Sequence, residues 1–125
     1  ATLSTMPVGY VWYDLKIGFG KRWAKLNGLK EKDLNSSEGM ARTFSVMLLT
    51  SFLTAVVMAC IIKAVEVDGF IEALMFGVIF GLLLRGGAHF IHNGFTRKPM
   101  ELTLIDAGHD AVSLTVIAII IGLWQ

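Results

Sequence analysis

Thr43–Ile62 reads TFSVMLLTSFLTAVVMACII, twenty uncharged residues in a row between Arg42 and Lys63. As a helix such a run covers about 30 Å, the thickness of a bilayer's hydrocarbon layer. Lipid offers a bare backbone no hydrogen-bond partner, so a crossing segment of this kind is helical. This stretch decides the class: the chain is expected to be a membrane protein.

Working outward, the pattern recurs. Phe70–Leu84 is interrupted only by Glu72 near its start. Ala111–Trp124, AVSLTVIAIIIGLW, reaches spanning length if the preceding DAGHD motif, Asp106–Asp110, lies at the membrane edge. Ala1–Tyr13 is too short to cross alone and lacks the charged start and long apolar centre of a signal peptide. It reads as the end of a first helix that is short or begins before this chain. Over 125 residues the chain is 54% hydrophobic, has a net charge of +1, and its mean hydropathy is +0.64. No basic stripe is interleaved with aromatics, so nucleic acid is not an expected partner. The lone Cys60 has no partner for an intrachain disulfide or a zinc motif and is expected to serve packing. The expected fold is an all-α, polytopic membrane bundle in one domain. It has four transmembrane helices, at 1–13 (the short or truncated one), 40–65, 70–92 and 104–124, plus a short interfacial amphipathic helix.

That extra helix falls in the polar segment 14–38, which holds six of the eleven Lys and Arg residues. FGKRWAKLNG puts Phe19, Trp23 and Leu26 on one helical face and Lys21, Arg22 and Lys25 on the others, with Gly28 placed to stop it. A helix so patterned lies on a bilayer surface, its apolar side in the interface and its basic side toward anionic head groups. Trp12 and Tyr13 suit the same interface. NSSE, Asn35–Glu38, has capping-box spacing for the next helix. The loops at 14–38 and 93–101 are basic, whereas KAVEVDG, between the second and third helices, is mildly acidic. By the positive-inside rule the two basic loops are expected in the cytoplasm, with the chain integral to a bacterial inner membrane. Ser51, Ala55 and Ala59, and Gly77 with Gly81, form small-residue ridges that let helices approach closely, within the bundle or between copies.

GYVWYD, FGKRWAKLNGL and the C-terminal DAGHDAVSLTVIAIIIGLW together resemble a family of small bacterial and fungal membrane proteins catalogued as domain of unknown function 1761. The resemblance covers nearly the whole chain and implies a four-helix membrane protein whose first helix ends at the Trp-Tyr pair. It implies no activity.

One feature resembles a site. LLLRGGAHFIHNGF, Leu82–Phe95, and DAGHD hold all three histidines of the chain. Arg85, His89 and His92 follow one face of the third helix, while Asp106, His109 and Asp110 share a face of the fourth. A short hairpin makes the two helices antiparallel, so the six residues are expected to form one constellation at the cytoplasmic edge, His92 near Asp106 and His89 near His109 or Asp110. Three chemistries fit these groups. His89, His92 and His109 with an aspartate could bind zinc or iron; the imidazoles could relay protons; or the groups could form a hydrogen-bonded lock that only orders the hairpin. HxxH without the glutamate of HExxH is not a protease motif, and Ser113, one turn beyond His109, reads as a helix-packing hydroxyl. The leading expectation is a non-enzymatic accessory or interaction subunit, with the lipid bilayer and other membrane subunits or further copies as partners. The alternative is a metal-binding enzyme or a proton- or ion-handling protein.

Overall fold

The structure is a computed structural model that describes residues 1–14, 16–28 and 40–124, the side chain of residue 40 excepted. A 3-10 turn, Thr2–Ser4, leads into α1 (Thr5–Trp12), followed by α2 (Gly20–Leu26), α3 (Met40–Ala64), α4 (Gly69–Phe95) and α5 (Met100–Trp124). Among the described residues three helices, α3, α4 and α5, are long and apolar enough to cross a membrane; α1 is not. The Asn35–Glu38 capping box lies outside the described residues.

α5 is the axis of the bundle. Of its most apolar stretch 44% is buried, against 22% in α3 and 17% in α4, because α1, α3 and α4 all pack on it. α4 and α5 run antiparallel and α3 packs along the far half of α5, where Ala55, Met58 and Ile62 meet Leu114, Ile117 and Ala118. Association in lipid gains little from hydrophobicity and relies on close packing. The small residues of α4 supply that closeness. A Cβ on Gly77 would lie 2.4 Å from the Cα of Thr115, and one on Gly81 2.7 Å from that of Ala111. On α3, Ser51 and Ala55 are buried and Ala59 is half-buried. Leu49, Phe52, Leu53, Val56 and Val57 face outward from the same helix, as a lipid-facing surface requires. Cys60 joins them: it is exposed, so it does not serve the internal packing expected of it.

The helix ends follow from local chemistry. Glu72, the one charge in the Phe70–Leu84 run, sits in the first turn of α4 and accepts the backbone N–H of Asp68 at 2.9 Å. Pro99 directly precedes α5, where its missing N–H costs nothing. Gly28, at φ +69°, closes α2 in a left-handed conformation. Between α1 and α2, Asp14 accepts the N–H groups of Lys16 and Ile17 at 2.7 and 2.9 Å. Those two bonds, that to Ile17 foremost, hold its carboxyl below the usual aspartate range. The chain turns so tightly here that Gly18 and Gly20 lie against the carbonyls of Val11 and Tyr13, with no room for a Cβ. This turn folds α2 back onto the start of α5, where Arg22 grips Glu101 through two contacts of 2.6 and 2.7 Å. The first and third loops therefore meet at one end of the bundle.

Candidate functional site

The face of α4 turned to α5 is a stripe with four-residue spacing: Ala73, Gly77, Gly81, Arg85, His89 and Asn93. In an α-helix each four-residue step rotates by about 40°, so a stripe this long would wind off its partner. α4 prevents this with a π-helical segment, Phe80–Gly86, whose wider turns rotate less per residue. The stripe consequently faces α5 from end to end. Ala73 meets Gly122, Gly77 meets Ala118, Gly81 meets Ala111, and the Asn93 amide donates to the Thr103 hydroxyl at 3.1 Å. His92 is off the stripe and exposed. Its expected contact with Asp106 is not made, because the register favours i+4 from His89 and places Asn93 there instead.

Asp110 is the centre of the first polar group. It is 5% exposed. Its Oδ2 lies 2.6 Å from His89 Nε2, within hydrogen-bond distance. Its Oδ1 faces Arg85 Nε at 3.3 Å and His109 Nδ1 at 3.4 Å. Arg85, His89, His109 and Asp110 are thus brought together as their spacing suggested.

Asp106 belongs to a second group, built by elements whose role the sequence reading missed. Its Oδ1 accepts the Tyr13 hydroxyl at 2.7 Å and the Trp23 indole N–H at 3.0 Å. Trp12 donates its own indole N–H to the Ile105 carbonyl at 2.9 Å and covers Gly108 so closely that a Cβ there would sit 2.8 Å from its ring. His109 joins the two groups, its ring 5.0 Å from that of Tyr13. The polar tips of Trp12, Tyr13 and Trp23 therefore clamp α1 and α2 onto DAGHD. Phe19, half-exposed, has its ring 5.0 Å from that of Trp12 and tilted by 50° to it, and Leu26 is half-buried. One turn separates Asp106 from Asp110, and the 40° between them is enough, on a helix wedged between α1 and α4, to send each to a different neighbour. The one sequence signal for this clamp was that its aromatics sit within the two most distinctive N-terminal motifs.

The groups lie further from the helix ends than expected. Asp110 is ten residues, about 15 Å, from the start of α5, and Arg85 is as far from the end of α4. The DAGHD motif occupies the body of a continuous helix, not its edge. The reason is that α5 begins at Met100, well before the apolar run that follows the motif. Among the described residues no three His, Cys, Asp or Glu side chains converge in a way that could hold a metal ion.

Beside the first polar group is a cleft of about 630 Å³ between α1, α3 and α5. Met6, Phe44 and Met47 form its apolar walls, and Arg85, His109 and Ser113 line it as well. The Thr5 hydroxyl donates to Ser51 at 3.3 Å across it, tying α1 to α3.

Residues 1–122 match the family described as Protein of unknown function (DUF1761), and the chain belongs to that family. No curated protein and no solved structure matches it.

Proposed function

We propose that the chain is a small integral membrane binding protein, without chemistry of its own, that holds a lipid-soluble amphiphile in the α1–α3–α5 cleft. The observation that carries this reading is the cleft itself. Its volume falls within the ~300–1,000 Å³ common for small-molecule sites, and apolar walls with a few converging polar groups are the usual composition of such sites. Ionisable groups at membrane depth ordinarily face a partner or a cavity, and Arg85 and His109 do both. Conduction fits less well. The ionisable groups of α5 stop at Asp110, and toward Trp124 its hydroxyls end at Ser113 and Thr115, so nothing in that half continues a proton or ion path.

Catalysis by Ser113 is also disfavoured. Ser113 Oγ, His109 and Asp110 stand in the order of a nucleophile, its base and an orienting acid. Yet both links are 3.4 Å, Ser113 is 2% exposed, and the short contact of Asp110 goes to His89.

The basic end, with Lys16, Lys21, Lys25, Arg97 and Lys98, is assigned to the cytoplasm of a bacterial cell on the positive-inside rule. The apolar outer faces of α3 and α4 are left for lipid or for neighbouring subunits, consistent with an accessory role beside a larger assembly. The test is mass spectrometry of protein purified in mild detergent. An amphiphile is expected to co-purify near one per chain and to be displaced in Met47→Trp, which fills the cleft. A chain that carries no such molecule and takes none up would refute the proposal.

A further inference from the structure

We infer that the amphiphile has a small oxyanion head, a fatty-acid-type carboxylate, received by Arg85. This rests on the cleft being a binding site. The polar residues that line the cleft are Thr5, Ser51, Arg85, His109, Ser113 and the tyrosines, with no carboxylate among them. Both aspartates of the site are turned away, Asp110 toward α4 and Asp106 toward the Tyr13–Trp23 clamp. The hydroxyls of the cleft can donate or accept, but Arg85 can only donate and no carboxylate lies beside it in the lining, so a head group seated at Arg85 must accept.

Arg85 makes the acceptor an anion. It meets Asp110 through Nε alone, at 3.3 Å, and its side chain is 37% exposed. A guanidinium has five N–H donors, and the two terminal amino groups of Arg85 have no hydrogen bond among the described residues. These groups are not sealed away, so a ligand in the cleft can reach them. A planar carboxylate meets two of them at once through parallel charge-assisted bonds, which a hydroxyl or a single carbonyl cannot do. Depth selects the head's size. Arg85 lies about 15 Å along the helix from the end of α4; with α4 read as spanning the bilayer from that end, a bulky phosphodiester would have to leave the interface to reach it. A carboxylate is small enough to make that descent, with its chain laid along Met6, Phe44 and Met47 toward the lipid.

The experiment is equilibrium gel filtration of the purified full chain in dodecyl maltoside with labelled palmitate, competed by hexadecanol or palmitoyl-lysophosphatidylglycerol. Palmitate should bind, and hexadecanol should compete about tenfold more weakly, the loss of one charge-assisted contact. Arg85→Gln should weaken palmitate by a similar factor, and Arg85→Lys should recover part of it. Met47→Trp, which leaves the polar group intact, should block binding and so keeps the test decisive if Arg85→Gln fails to fold. Equal competition by palmitate and hexadecanol would overturn the oxyanion while leaving the cleft reading standing. Preferential binding of the lysophospholipid would overturn the small head. Binding of neither, with Met47→Trp indistinguishable from the parent, would remove the binding site and this inference with it.

Discussion

Replacing Asp110 with leucine is the sharpest probe of the bundle's polar centre. The substitution keeps a buried side chain of similar size but leaves Arg85, His89 and His109 facing no acceptor. Breaking a buried charge pair from one side costs about 3–5 kcal/mol. Arg85 and His89 are 37% and 34% exposed, so both keep part of their hydration, and about 2–3 kcal/mol is the better expectation. Arg85→Met alone leaves Asp110 with His89 as its close partner and should cost roughly half as much, on the order of 1–2 kcal/mol. The double variant removes both charges and should lie within about 1 kcal/mol of the parent, since apolar groups of similar volume often replace buried pairs at little cost. The cycle should therefore show a coupling of about 3 kcal/mol. The assay is SDS-induced unfolding in mixed micelles followed by tryptophan fluorescence, because Trp12 and Trp23 are both hydrogen-bonded to α5 and report its loss of contact. Strictly additive costs, or a single Asp110→Leu cost below 0.5 kcal/mol on that scale, would show that Asp110 does not organise the bundle.

Three further expectations come from the packing. Gly77→Ala should destabilise relative to Gly87→Ala by about 1–3 kcal/mol in the same assay: both gain the same helix propensity, but a Cβ meets Thr115 backbone at Gly77 and open space at Gly87, so equal stabilities would contradict the close α4–α5 approach. Tyr13→Phe removes one of the two bonds to the Asp106 carboxylate and should cost about 1.5–3 kcal/mol, with proteolysis of the α1–α2 segment accelerated; an unchanged digestion pattern would mean the clamp does not hold that segment. In a Cys60→Ala background, cysteines placed at Lys16 and at Lys98 should both resist a membrane-impermeant label in intact cells, while one at Val65 should react; the reverse pattern would invert the chain in the membrane.

The sequence by itself determined the class of this protein and much of its length-scale. Twenty uncharged residues between Arg42 and Lys63 can be accommodated in few ways other than as a spanning helix, because the energetics of a bare backbone in lipid leave little choice. It also determined that Arg85, His89, His109 and Asp110 would meet, since four-residue spacing on antiparallel helices joined by a short turn is a local matter. Tertiary structure alone decided the rest. His92 and Asn93 are adjacent in sequence, and only the π-helical segment at Phe80–Gly86, a property of α4 packed on α5, selects Asn93 for the interface. Asp106 and Asp110 are one turn apart, and only the presence of α1 on one side and α4 on the other separates their partners. The Trp12, Tyr13 and Trp23 clamp joins residues more than eighty positions apart, a contact no periodicity encodes. The cleft arises the same way. Its lining comes from α1, α3, α4 and α5, and the cleft exists only once they are placed against one another.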